Sequence, residues 1–287
     1  MRSEQEILQL VLDFAGGDDR IRLVLLNGSR ANPNAARDLL QDYDIACLVP
    51  QVAPFRRRPD IVARFGELLI LQTPEDMGDP PPGDSGFYAY LMQFTDGVRI
   101  DLSFHPLDRL EAILQDSLTV VLLDKDRRLA PLPPASDASY LPVPPTEKQF
   151  QDCCNEFWWV CPYVAKGLWR DELTNAHYFL EVVREQLMMM LEWYFGVRTG
   201  FRKSPGKKGK YLRPGLEPEL WAELERTYAD ARPEHVWQAL FAMGGLFRRT
   251  GEVVAAAFGY DYPCQEDANV SAFLERIRAL PRGAREF

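Results

Sequence analysis

Histidine is almost missing from this chain: there are three in 287 residues, His105, His177 and His235, and none stands at a spacing that would share a metal ion. Each is expected to be an ordinary surface or core histidine. Cysteine is scarce as well. The five present are an odd number, Cys153 and Cys154 are adjacent, and no Cys-x-x-Cys pair occurs, which argues against a zinc site or a disulfide framework and for reduced thiols. No stretch approaches the roughly eighteen consecutive apolar residues of a membrane helix. The opening Met1-Arg2-Ser3-Glu4-Gln5-Glu6 is unlike a secretory signal, so a cytoplasmic location without a membrane partner is expected. Basic residues are in the minority, 33 against 42 acidic ones, and the net charge of −9 disfavours a nucleic-acid partner. Through its summed field the same charge favours a cationic ligand. No internal repeat is apparent. What remains is 46% apolar and 26% charged residues, an ordinary soluble composition in a chain long enough for two cores.

The most informative stretch is 21–49, IRLVLLNGSRANPNAARDLLQDYDIACLV. Residues 21–26 are an apolar run with β-branched members, bounded by charge on one side and Asn-Gly-Ser on the other, which predicts a buried strand. Gly28 lets the backbone approach a ligand closely, and the N–H groups that follow it, from Ser29 onward, can point at an anion such as phosphate. Asp42-Tyr43-Asp44 then leads into a second apolar run. Strand residues alternate faces, so Asp42 and Asp44 point the same way and Tyr43 the other. Two carboxylates on one face suit Mg²⁺, which takes oxygen ligands and keeps nucleotide phosphates in its shell. A pair of solvated carboxylates at a strand entrance is the alternative.

A third acid belongs to the same picture. Residues 87–94 and 98–104 flank Thr95-Asp96-Gly97, and Asp-Gly between two strand-like runs predicts a hairpin. Asp101 lies inside the second run, where an unpaired carboxylate would be costly. Metal is one partner for it. Arg99, on the same face, and His105, close in sequence, offer a plain ion pair instead.

Ser3 with Glu6 is a capping-box signature ahead of a helix carrying Ile7, Val11 and Phe14. A short helix at 59–66, a strand at 67–72, a helix at 107–114 and a strand at 118–123 complete the first half. Six prolines fall between Pro131 and Pro145, which places a linker at 131–145 between a domain at 1–130 and another at 146–287. Everything beyond is helical. Thr146 with Gln149 is a second capping box, Pro162 is expected to kink or end the helix that follows, and residues 173–194 form a second long helix. Pro218 and Pro233 sit where helices begin. Between Arg198 and Arg213 seven basic residues occur with no acidic one, a flexible basic loop in an otherwise acidic chain.

Gly28-Ser29, Asp42-x-Asp44 and the later strand residue Asp101 resemble the nucleotidyltransferase superfamily pattern. The fuller text, notably GSRANPN at 28–34, QDYDI at 41–45, QTPEDM at 72–77, FQDCCNEFWWV at 150–160 and VAKGLWRDE at 164–172, is similar to the aminoglycoside 6-adenylyltransferases, the streptomycin adenylyltransferases. The likeness runs from residue 1 to about 260. It implies an α+β fold, an N-terminal nucleotidyltransferase-like mixed sheet with flanking helices followed by a C-terminal helical bundle. It also implies Mg²⁺-dependent transfer of AMP from ATP to the 6-hydroxyl of streptomycin, with release of pyrophosphate. Asp42, Asp44 and Asp101 would then be the catalytic, metal-holding carboxylates. Gly28, Ser29 and Arg30 would meet the nucleotide, as would Lys207 and Lys210 of the basic loop and the pair Lys166 and Arg170, a helical turn apart. Glu75 and Asp76 would meet the cationic acceptor, or else cap a helix start. Another acceptor on the same scaffold, or a non-catalytic nucleotide-binding partner protein, is the competing reading. The chain is expected to act as a monomer.

Overall fold

The computed structural model describes residues 1–82 and 86–286, which fall into two compact units, Met1–Ser139 and Tyr140–Phe287. In the first, helix α1 (Glu4–Gly16) precedes strands β1 (Leu23–Asn27) and β2 (Tyr43–Val49). Helix α2 (Pro59–Ala63) and strands β3 (Leu68–Gln72), β4 (Tyr88–Phe94) and β5 (Arg99–Pro106) follow, then helix α3 (Leu110–Ile113) and strand β6 (Val120–Asp124). The strands form one sheet in the order β3-β4-β5-β2-β1-β6. Only β2 and β5 run parallel, so the sheet is mixed.

Period-two alternation assigns the two faces. Tyr43, Ile45, Cys47 and Val49 of β2 and Ile100, Leu102 and Phe104 of β5 enter the main core with Ile7, Val11 and Phe14 of α1. The opposite face receives Asp44, Ala46 and Leu48 from β2 and Arg99, Asp101, Ser103 and His105 from β5. On that face the apolar packing is small, Leu23, Leu25, Ala46 and Leu48 beneath Leu107, Leu110 and Ile113, and it covers only part of the sheet. What it leaves is polar. Edge strand β3 carries Leu69 and Ile70 about two-thirds exposed, as a strand with a single neighbour allows.

The second unit is a bundle of α4 (Glu147–Trp169), α5 (Leu173–Thr199), α6 (Pro218–Arg226), α7 (Pro233–Phe258) and α8 (Cys264–Ala279). Both expected capping boxes are formed: the Ser3 hydroxyl accepts from the Glu6 N–H and the Thr146 hydroxyl from the Gln149 N–H, with each acid or amide side chain reaching back to the cap. Pro218 and Pro233 open α6 and α7. Pro162 does not end the helix, since α4 continues through it to Trp169. The proline removes one backbone donor, and Phe157, Cys161, Val164 and Leu168 hold both halves of the helix in one core. The basic stretch is not featureless: it contains turns at Lys207–Gly209 and Arg213–Gly215. Among the described residues no helix is long and apolar enough to cross a membrane.

Candidate active site

Strand β1 ends at Asn27, and the chain turns through Gly28–Arg30. Gly28 has φ +73°, a left-handed conformation that glycine adopts without strain. A Cβ built there would lie 2.1 Å from the Asp44 Oδ2, so the turn is packed directly against that carboxylate. Ser29 follows, half-buried.

The sheet register lines up the acids. Asn27 pairs with Asp44 across β1 and β2, Asp44 with Asp101 across β2 and β5, and Asp101 with Leu91 across β5 and β4. One rung away stand Asp42 and Arg99. Arg99 forks onto Asp101, with Nε 2.9 Å from Oδ1 and a terminal nitrogen 2.8 Å from Oδ2, and lies 3.6 Å from Asp42. Burial pushes the Asp42 carboxyl above its usual range; the Arg99 cation opposes that shift and the Asp101 charge adds to it. The Asp101 carboxylate keeps the Arg99 guanidinium firmly protonated.

A cleft of about 300 Å³ opens on this face, lined among others by Asn27, Asp44, Asp101, Ser103, His105 and Asp116. The Ser103 hydroxyl donates to the Ile45 carbonyl at 3.1 Å and lies 2.9 Å from His105 Nε2, so that hydroxyl is spent as a donor and accepts from Nε2–H. Burial, with Arg109 next in effect, lowers the pKa of His105, which favours the neutral imidazole, and its ring stacks on Phe87 at 5.2 Å. Neither Asn27, Ser103, Asp116 nor His105 stood out in the sequence as a site residue. The signal for two of them was there: Arg99, Asp101, Ser103 and His105 are alternate residues of one polar strand face.

Other expected site residues are engaged elsewhere. Arg30 points into the body of the unit: it is 8% exposed, donates to Glu4 at 3.0 Å and to the Gln41 carbonyl at 2.9 Å, and lies 3.7 Å over the Tyr43 ring. That is a structural tie between the turn, β2 and α1. Arg30→Met is expected to cost about 2 kcal/mol of stability, the scale of a charged hydrogen bond lost with its partners left behind. Thermal denaturation reads this directly; an unchanged melting temperature together with a raised KM for ATP would return Arg30 to the nucleotide. Asp76 accepts from Arg57 at 2.9 Å and from the Tyr88 hydroxyl at 2.6 Å, and Glu75 accepts from the Ala89 N–H at 2.9 Å. Both acids lie on a turn, Pro74–Asp76, which the Tyr88 and Ala89 contacts join to β4 and the Arg57 contact to the segment before α2. Gly28, Ser29, Asp42, Asp44 and Asp101 are thus brought together in the first unit. Lys166, Arg170, Lys207 and Lys210 belong to the second, all exposed; Lys166 lies 5.4 Å over the Tyr163 ring and Lys210 4.9 Å over that of Tyr211.

The donor set suits a hard divalent cation, because its members are carboxylate oxygens on neighbouring rungs and the missing Cβ of Gly28 leaves room at Asp44. The expected trio does not close on one point. Among the described residues no three His, Cys, Asp or Glu side chains form such a group, and Arg99 holds both oxygens of Asp101. A pair of carboxylates completed by phosphate oxygens is what the arrangement fits.

A family profile described as streptomycin adenylyltransferase matches residues 1–277. An aminoglycoside 6-adenylyltransferase of Campylobacter jejuni is 41% identical over 269 residues, 93% of each chain. One from Bacillus subtilis (strain 168) is 38% identical over 280 residues, 96% of this chain and 98% of the other. A crystal structure of an aminoglycoside 6-adenyltransferase from Bacillus subtilis aligns over 98% of this chain and all of its own, at 35% identity and a TM-score of 0.48.

Proposed function

The chain belongs to the streptomycin adenylyltransferase family of nucleotidyltransferases, and from that premise we propose that it transfers AMP from ATP to the 6-hydroxyl of streptomycin, releasing pyrophosphate. The observation that carries this reading is the Gly28 turn packed against Asp44, which is itself paired in register with Asp101. A phosphate-seeking turn and two acids are thereby set on one polar sheet face.

In this reading the N–H groups at Gly28 and Ser29 hold phosphate oxygens, and the Ser29 hydroxyl adds a donor. Asp42 and Asp44 would hold Mg²⁺, which when bound neutralises phosphate charge and polarises the α-phosphorus. Asp101 takes the proton from the acceptor hydroxyl, whose oxygen forms the new bond to the α-phosphorus. The bond from that phosphorus to the pyrophosphate oxygen breaks in line. For Asp101 to act this way, Arg99 has to yield one of its two hydrogen bonds. The acceptor contributes two guanidinium groups, to which a chain of net charge −9 is attractive.

The test is pyrophosphate release from ATP and Mg²⁺ in parallel reactions with streptomycin, spectinomycin, kanamycin, lincomycin or no acceptor. Release with streptomycin alone, and a product heavier by one AMP, is expected. Release with a different member of the set would move the acceptor; release with none, despite ATP binding, would favour a nucleotide-binding partner protein.

A further inference from the structure

Asn27 ends strand β1 beside the carboxylates of the first unit. Val24 and Leu26 of β1 enter the main core, whereas Leu23 and Leu25 pack on the opposite face with Ala46 and Leu48. Asn27 continues the second set, so its amide lies on the face of Asp44 and Asp101, and it lines the same cleft of about 300 Å³. Register makes it the direct neighbour of Asp44 across the antiparallel pair of β1 and β2, and residues so placed have Cβ atoms about 5 Å apart. Asn27, Asp44 and Asp101 thus form one rung over β1, β2 and β5.

The hydrogen bonds around Asn27 fix which way its amide is turned. The Thr119 hydroxyl gives its one proton to the Asp116 carbonyl at 2.8 Å, so toward Asn27 it can only accept. Asn27 Nδ2 is the donor, at 2.7 Å. Thr119 is buried and directly precedes β6, extending the pairing of Leu26 with Val120, which draws Nδ2 to the β6 side of β1. The two ends of a planar amide diverge from Cγ, so Oδ1 is left on the β2 side, where Asp44 stands. A hard divalent cation takes carbonyl oxygens together with carboxylates. Asparagine and aspartate have the same reach from Cβ, so oxygens of Asn27 and Asp44 end at one height above the sheet. On the other flank of Asp44, Arg99 holds both oxygens of Asp101. The amide adds an oxygen there without adding negative charge beside the nucleotide phosphates.

We infer that Asn27 Oδ1 is a ligand of the divalent cation held at Asp44. The inference rests on the metal site proposed above and is independent of which acceptor reacts. It is tested by titrating the full chain with Mn²⁺ in the presence of an ATP analogue carrying a methylene between the α- and β-phosphorus, with free Mn²⁺ read by electron paramagnetic resonance. Asn27→Ala removes the oxygen and is expected to raise the Mn²⁺ dissociation constant about tenfold to a hundredfold, the range for a lost partner in a metal's shell. Asn27→Asp keeps an oxygen at the same reach and should bind Mn²⁺ as tightly as wild type or more tightly. A role confined to holding Thr119 would weaken both variants alike, because aspartate lacks the N–H that Thr119 accepts. Unchanged affinity in Asn27→Ala, equal weakening in both, or no Mn²⁺ binding by wild type would overturn the inference. If Asn27→Ala proves too unstable to titrate, Asn27→Asp decides alone, and weaker binding there overturns it. If wild type transfers AMP to none of the acceptors while Asn27→Ala loses Mn²⁺ and Asn27→Asp keeps it, the ligand stands and the proposed reaction falls. Transfer to streptomycin with unchanged Mn²⁺ affinity in Asn27→Ala has the reverse meaning.

Discussion

Asp44→Asn should lower kcat for AMP transfer by about three orders of magnitude, the scale of losing several kcal/mol of electrostatic stabilisation at a phosphoryl centre. The substitution removes charge and keeps volume, so β2 retains its register with β1 and β5, and the melting temperature should stay within a few degrees of wild type. Position makes this residue the most sensitive of the three acids. It is flanked in register by Asn27 and Asp101, and the Gly28 turn lies against its Oδ2. Asp42 stands a rung away with Arg99 at 3.6 Å, so Asp42→Asn should lose less. Near wild-type turnover in Asp44→Asn would remove the reaction centre from this sheet face altogether.

Much of that face was legible in the sequence because alternation is local. Asp42-Tyr43-Asp44 and Arg99-Ile100-Asp101 each declare which residues share a side, and Tyr43 and Ile100 do enter the core. The parallel pairing of β2 with β5, which puts Asp44 beside Asp101, is a long-range choice that no residue announces. Partner choice was harder still. Arg99 was open between a bystander and an ion pair, and the structure makes it a two-point partner of Asp101. Arg30, next to the Gly-Ser turn in sequence, was expected on the nucleotide; the Gly28–Arg30 turn sends it inward to Tyr43 and Glu4. Glu75 and Asp76 suited a cationic ligand by charge, yet Arg57 and Tyr88 hold the two oxygens of Asp76 and the Ala89 N–H holds one of Glu75, residues 12 to 19 positions away. Pro162 failed as a helix breaker because a helix packed on both sides of it can forgo one hydrogen bond.

Gly28→Ala is expected to show whether the turn itself, rather than the carboxylates alone, is part of the reaction centre. Two separate penalties fall on this substitution. A left-handed backbone costs an alanine about 1–2 kcal/mol, which appears as lost stability. The new methyl also enters space that Asp44 Oδ2 occupies, at 2.1 Å where no real contact is so short, so either the carboxylate rotates or the turn lifts. Both outcomes separate the phosphate-holding N–H groups from Asp44, and misplacement of that size costs about a hundredfold in kcat/KM. Gly259 is the control. It has φ +72°, close to that of Gly28, but nothing stands within 4 Å of its position for a Cβ, and it closes α7 in the second unit. Gly259→Ala should therefore share the stability loss and keep kcat/KM. If the two variants lose stability alike and both retain activity, the packing of Gly28 on Asp44 has no part in the chemistry. Loss confined to Gly28→Ala would separate close approach from backbone strain, and would locate the phosphate contact at the turn where β1 ends.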